Sequence, residues 1–112
     1  MDAKYQLHDA GKEKFHWDLK AGNSETILSS QIYSAKQNAQ TGIESCRSNS
    51  AVDARYERLT SKDTKPYFVL KAGNGEVIGT SQMYSTESAR DHGIKSCKEN
   101  GPSAKTQDDT AK

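Results

Sequence analysis

The sequence predicts an α+β domain in which two tandem strand-strand-strand-helix units complete one core between them. The stretch from Lys20 to Asn49 returns as Lys71 to Asn100 at a constant offset of 51 residues, and about half of the paired positions are identical. Each copy passes from apolar residues alternating with polar ones to apolar residues at helical spacing, which places strands before a helix in both. A unit of that length sits near the lower limit for independent folding, whereas 112 residues suit one small domain. Because a solenoid needs at least three units, the two repeats, about 4–53 and 55–102, are expected to form an intramolecular pseudo-dimer within a monomer.

Tyr5 and Leu7 alternate with polar neighbours, Asp9 to Lys12 interrupts them, and Phe15, Trp17 and Leu19 resume the pattern: a strand, a turn and a strand. The second copy reads Tyr56, a polar turn around Ser61 to Lys65, then Phe68 and Leu70. Side chains alternate faces along a strand, so Trp17, Leu19, Phe68 and Leu70 point into one core. The opposite face carries His16, Asp18, Lys20, Tyr67 and Lys71. Gly22 to Glu25 and Gly73 to Glu76 are tight turns, and Asn74-Gly75 predicts a type I′ hairpin. Third strands follow at Thr26 to Ser29 and Val77 to Thr80.

Ser34 and Ser85 are expected as N-caps, the first with Gln37 as a capping-box partner. Ala39, Gly42, Ile43 and Cys46 form one stripe of the first helix, and Ala89, Gly93, Ile94 and Cys97 one stripe of the second. A glycine inside a helix costs roughly 1 kcal/mol against alanine, so Gly42 and Gly93 predict close approach of each helix to the sheet or to its twin. Asn49-Ser50 and Asn100-Gly101 are expected as left-handed C-caps, and Pro102 ends the second helix. The segment Ala54 to Thr60 can be the last strand of the first unit or the first strand of the second. Residues 103–112 form a polar tail, expected to be partly disordered.

The net charge is +1 with both signs interspersed, so nothing draws the chain electrostatically onto nucleic acid or an anionic membrane. No apolar run approaches the ~20 residues needed to span a bilayer, and Met1 to Lys4 runs directly into a patterned strand, so the expected location is the cytoplasm. In that reducing setting Cys46 and Cys97 are read as buried small residues, in preference to a disulfide across the pseudo-two-fold axis or a reactive thiol.

The repeated motifs Lys-Ala-Gly-Asn-x-Glu-x-Ile, Ser-Gln-x-Tyr-Ser and Gly-Ile-x-Ser, with Asn following, resemble the YegP-like family of small uncharacterised bacterial proteins in its two-repeat branch. The resemblance covers Tyr5 to Gly101. It implies a single antiparallel sheet of two β-β-β-α-β units, with terminal strands exchanged and both helices packed on the sheet. It implies no activity, cofactor or catalytic residue. The cysteines stand where that family usually has valine, which favours their reading as core residues.

An enzyme needs an acid, a base or a nucleophile in register, and the sequence offers no phosphate loop, metal cluster or triad motif. His8, His16 and His92 face Leu59, Tyr67 and Thr41 at the matching positions, so none belongs to the repeat. The expected function is therefore a non-enzymatic module, without cofactor or metal, that binds a protein or small ligand on the open face of His16, Asp18, Lys20, Tyr67 and Lys71. Single-stranded nucleic acid on that face is the alternative. Gln31, Tyr33, Gln82 and Tyr84 are secondary candidates, because capping rules do not call for a glutamine just before a helix.

Overall fold

The computed structural model describes residues 3–110. Strands β1 (Lys4–Asp9), β2 (Phe15–Lys20) and β3 (Thr26–Ser30) lead into helix α1 (Lys36–Asn49). A 3-10 turn, Asp53–Arg55, then opens β4 (Tyr56–Thr60), β5 (Pro66–Lys71), β6 (Val77–Thr80), helix α2 (Glu87–Asn100) and β7 (Lys105–Asp108). One seven-stranded sheet has the order β4-β5-β6-β3-β2-β1-β7. The strand after each helix lies on the other repeat: β4 pairs with β5, and β7 pairs with β1. The sheet is mixed where an antiparallel one was expected, since β7 runs parallel to β1. A strand returning from a helical crossover can enter the sheet in that direction.

β7 also revises the expected tail. Lys105–Asp108 has every side chain exposed, so no apolar pattern announces it; it is held by pairing with β1 and by Arg47, which donates to Ala104 O at 2.9 Å and Thr106 Oγ1 at 2.8 Å. Residues 111 and 112 of that tail lie outside the described residues.

The core lies between the sheet and the two helices. Tyr5, Leu7, Trp17, Leu19, Leu28, Phe68 and Leu70 are fully buried against Ile43, Cys46, Ile94 and Cys97. Trp17, Leu19, Phe68 and Leu70 thus take the expected places. Register shifts at Leu19/Lys20 and at Leu70/Lys71 mark a β-bulge in each repeat. A bulge turns two consecutive residues to one side, which explains why Ile27 and Leu28 are both buried.

Ser29 pairs with Thr80, its own counterpart 51 residues on, so the pseudo-two-fold axis passes between β3 and β6. Equivalent residues meet their twins there. Cys46 and Cys97 are free thiols side by side, and the Cys97 thiol together with burial pushes the Cys46 thiol well above its ordinary range. A Cβ on Gly79 would fall 2.8 Å from Leu28 Cδ2, and one on Gly101 would strike Ser50 Oγ. At both places one repeat supplies a side chain and the other supplies room.

Several local expectations change. The helices are capped one residue later than expected, by Ala35 without a side-chain bond and by Thr86, whose hydroxyl accepts from Ala89 N at 3.0 Å. The C-caps Ser50 and Gly101 are right-handed, with φ of −66° and −57°. Asn49 and Asn100 remain helical and donate to Ser45 O and Ser96 O at 2.8 and 2.9 Å. The Asn74-Gly75 turn has positive φ only at Gly75 (88°), with Gly75 N bonded to Ala72 O and Ala72 N to Glu76 O, both at 2.9 Å. That is a three-residue loop with a glycine bulge, in place of type I′. Asn74 Oδ1 accepts from Glu76 N at 3.0 Å, and Asn23 does the same for Glu25, so both asparagines serve their turns.

Candidate functional site

The open face of the sheet divides into unlike halves. On β2, His16 and Asp18 lie near His8 of β1: His8 pairs directly across the ladder with His16, with ring centroids 4.0 Å apart, and His8 Nε2 is 3.0 Å from Asp18 Oδ2. Ser29 donates to Asp18 Oδ1 at 2.6 Å. Burial, then the neighbouring His8, lowers the pKa of His16, and Asp18 partly opposes them. Lys20 ends the same strand. Tyr67 and Lys71 lie on β5, three strands from β2, or roughly 14 Å at the usual spacing. Lys71 is ion-paired with Glu57, and between Tyr67 and Lys71 stands Val69, only 6% exposed. His16 and Asp18 are therefore brought together, Tyr67 and Lys71 are not brought to them, and His8 joins the cluster. The register of the β1-β2 hairpin is the sequence signal that could have found His8.

The secondary candidates occupy a different place, and there the duplication reappears in three dimensions. One groove runs between the Ala21 to Ile27 turn of the first repeat and α2, with Gln82 and Tyr84 among its lining residues; its volume is about 790 Å³. The other, about 270 Å³, runs between Ala72 to Ile78 of the second repeat and α1, with Gln31 and Tyr33. Each is assembled crosswise from both repeats. Glu25 and Glu76, Gly93 and Gly42, Ser96 and Ser45 take equivalent positions in the two.

The Ser-Gln-x-Tyr motif that builds each groove has a division of labour. Ser30 Oγ accepts from Trp17 N at 2.9 Å and donates to Gln31 O at 2.7 Å; Ser81 Oγ accepts from Phe68 N at 2.9 Å and donates to Gln82 O at 2.8 Å. The serine hydroxyl thus stands in for a ladder bond where the chain leaves the sheet. Tyr33 is then fixed by reciprocal backbone bonds with Phe15, at 2.8 and 2.7 Å, and Tyr84 N bonds Pro66 O at 2.8 Å.

The phenol ends lie on the helix glycines. A Cβ on Gly42 would overlap the Tyr33 hydroxyl and come within 3.1 Å of Trp17 Nε1; one on Gly93 would overlap the Tyr84 hydroxyl and come within 3.3 Å of Phe68 Cε2. The expected close approach is thus made by the tyrosine of the same repeat. Burial raises the pKa of both phenols; at Tyr33 the Trp17 indole and then the Gln31 amide draw it back, and at Tyr84 the Gln82 amide does. The Glu25 carboxylate adds to the rise at Tyr84. The glutamines stay exposed, as do Glu25 and Glu76, so each groove presents an amide, a carboxylate and helix hydroxyls around a fixed phenol.

Among the described residues no helix is long and apolar enough to cross a membrane. The family described as a domain of unknown function, DUF1508, matches residues 10–57 and again 61–108. Both matches end on the strand that follows a helix, on β4 and on β7. A UPF0339 protein of Acinetobacter baylyi is 51% identical over 108 residues, covering 96% of this chain and 97% of that protein. The UPF0339 protein YegP of Escherichia coli is 47% identical over 110 residues, covering 98% and 100%. The solution structure of a UPF0339 protein from Shewanella oneidensis superposes with a TM-score of 0.91 at 49% identity, covering 98% of this chain and 93% of that one. That of E. coli YegP, a protein of unknown function, gives 0.92 at 46%, covering 100% and 97%.

Proposed function

The chain belongs to the DUF1508 family, and we propose that it is a non-catalytic binding module whose two grooves each take a short extended peptide segment of a partner protein. One observation carries this reading: the polar residues on which the two repeats agree, apart from those at turns, strand ends and helix ends, gather in the grooves. Gln31 and Gln82, Glu25 and Glu76, and Ser45 and Ser96 line them, with no capping or ladder bond that needs a glutamine or glutamate there.

The larger groove follows α2 from Ser88 to Glu99, a rise of about 16 Å, which matches about five residues of extended chain. Amide, phenol and hydroxyl groups suit peptide N–H and C=O groups, and Glu25 and Glu99 together outweigh Lys95 and favour a neutral or basic segment.

A catalytic role finds less support. In the Ser29, Asp18 and His8 arrangement the carboxylate sits between hydroxyl and imidazole, so the imidazole does not reach the hydroxyl as it does in a hydrolase triad. Nucleic acid on the open face is disfavoured by the pairing of Lys71 with Glu57 and by the carboxylate of Asp18. Two free thiols side by side in the core fit the reducing cytoplasm. The crossing of strands between repeats within one chain favours a monomer.

Panning displayed seven-residue peptides on the full chain tests the proposal. Enriched peptides should shift the amide resonances of Glu25, Gln82, Tyr84 and His92, and Glu25→Ala with Gln82→Ala should weaken them by about tenfold or more, worth ~1.4 kcal/mol, at unchanged melting temperature. No enrichment, peptides mapping to the open sheet face, or equal binding by the double variant would each overturn it.

A further inference from the structure

We propose that His8, His16 and Asp18 form a binding site for one divalent first-row transition ion, zinc above all, on the open face of the β1-β2 hairpin.

Two imidazoles and one carboxylate are the donor set of many three-ligand zinc sites that leave a fourth position to water or another donor. One donor atom from each of the three residues lies within 4.8 Å of the other two. In a tetrahedral site with bonds of about 2.0 Å the donors stand roughly 3.3 Å apart. His8 Nε2 and Asp18 Oδ2, at 3.0 Å, are already near that separation. Only side-chain torsions need to change.

The backbone makes this arrangement. His8 and His16 are direct partners in the antiparallel ladder, where Cβ atoms are about 5 Å apart, and Asp18 is two residues along the same strand on the same face. The ligands come from paired strands of a sheet with a bound third strand, so the site is held by the fold. Asp18 has an outer-shell partner as well: Ser29 on β3 donates to Oδ1 at 2.6 Å and leaves Oδ2 turned toward the histidines. All three ligands are half-buried, shielded enough to be ordered and open enough for an ion to enter.

At the twin positions in the second repeat stand Leu59, Tyr67 and Val69. The backbone there repeats, yet no donor for zinc remains except a phenol. The first repeat alone carries the donors, and at these three positions its departures from the second converge on one point.

The test uses the full chain stripped with a chelator and titrated calorimetrically with zinc chloride, with cobalt chloride followed in parallel by visible absorption. One zinc per chain should bind, and cobalt should give the intense absorption of four-coordinate Co²⁺. His8→Ala, His16→Ala and Asp18→Asn should each lower zinc affinity by more than tenfold, and Ser29→Ala by a smaller factor, about tenfold, as loss of an outer-shell partner does. Asp18→Asn is nearly isosteric, so it reads out the site even where a histidine variant fails to fold. Cys46→Val with Cys97→Val should keep the affinity. Absence of saturable binding, binding indifferent to the His8, His16 and Asp18 variants, or loss of binding in the cysteine variant with the other three unaffected would each overturn the proposal.

Discussion

The hydroxyl of Tyr5, at the start of the chain, donates to the carbonyl of Gly101, at the end of the second helix, at 2.6 Å. Tyr56 repeats the contact on Ser50 O at 2.6 Å. Each phenol is buried, burial raises its pKa, and a cation lies over each ring, Arg47 over Tyr5 at 5.0 Å and Lys98 over Tyr56 at 5.8 Å. Replacement by phenylalanine keeps the ring and strands a helix-end carbonyl, so Tyr5→Phe and Tyr56→Phe should each lose about 1–3 kcal/mol in urea unfolding. A midpoint unchanged in either variant would show that water replaces the hydroxyl.

Gly93→Ala inverts the usual helix rule. Alanine favours a helix interior by roughly 1 kcal/mol over glycine, but here the new methyl meets the Tyr84 hydroxyl and presses on Phe68. Stability should not rise, and the Tyr84 ring should swing out into the larger groove. Thermal melting reads the first effect and ring-to-helix NOEs the second; a gain near 1 kcal/mol with the NOEs intact contradicts the packing described.

The cysteines should be inert. With both thiols fully buried and that of Cys46 pushed up, native protein should label with a small disulfide reagent only as fast as it opens. Labelling near the rate found in denaturant would place a thiol at the surface. Cys46→Ala and Cys97→Ala each remove a packed sulfur and should destabilise by about 1–2 kcal/mol.

Acid should loosen β7. Lys36 beside Asp108, at 2.7 Å, and the Thr110 hydroxyl hold its carboxyl down at about 2, below the ordinary 3.8. A depressed carboxyl stabilises the fold fully above its unfolded pKa and ceases to do so as pH falls through the folded one. The side chain is 41% exposed, so the effect is modest and salt-sensitive. Asp108→Asn should melt slightly below the parent near pH 6, and the gap should close as pH falls from about 4 to about 2. A gap independent of pH would assign the loss to something other than this charge.

Most of the architecture could be read from alternation and repetition because burial leaves a periodic trace. Trp17, Leu19, Phe68 and Leu70 are apolar at period two, and the stripe from Gly42 to Cys46 is compact, so strands, helices and core face follow. β7 leaves no such trace: Lys105, Thr106, Gln107 and Asp108 are exposed, and what holds them is main-chain pairing and Arg47. The grooves were partly legible, since Gln31, Tyr33, Gln82 and Tyr84 stood out as unexplained repeats. That each would face the turn of the other repeat depends on the crossing of the halves, which no local pattern encodes. His8 escaped for a related reason: its meeting with His16 and Asp18 depends on hairpin register, and the loop from Ala10 to Lys14 contains Glu13 at φ 57°, a residue type that does not advertise a left-handed turn.

Leu28 and Gly79 have a consequence for descent. Two identical half-chains meeting on a true dyad confront the residues at the axis with their own copies, so whatever stands there has to tolerate itself. In one polypeptide that constraint is gone, and here leucine has grown on one side into the space left by glycine on the other, as Ser50 has against Gly101. A half carrying Leu28 would now collide with another like itself, and a half carrying Gly79 would face a void. The molecule is in effect a heterodimer with a peptide bond between its subunits, each half fitted to the other and not to itself.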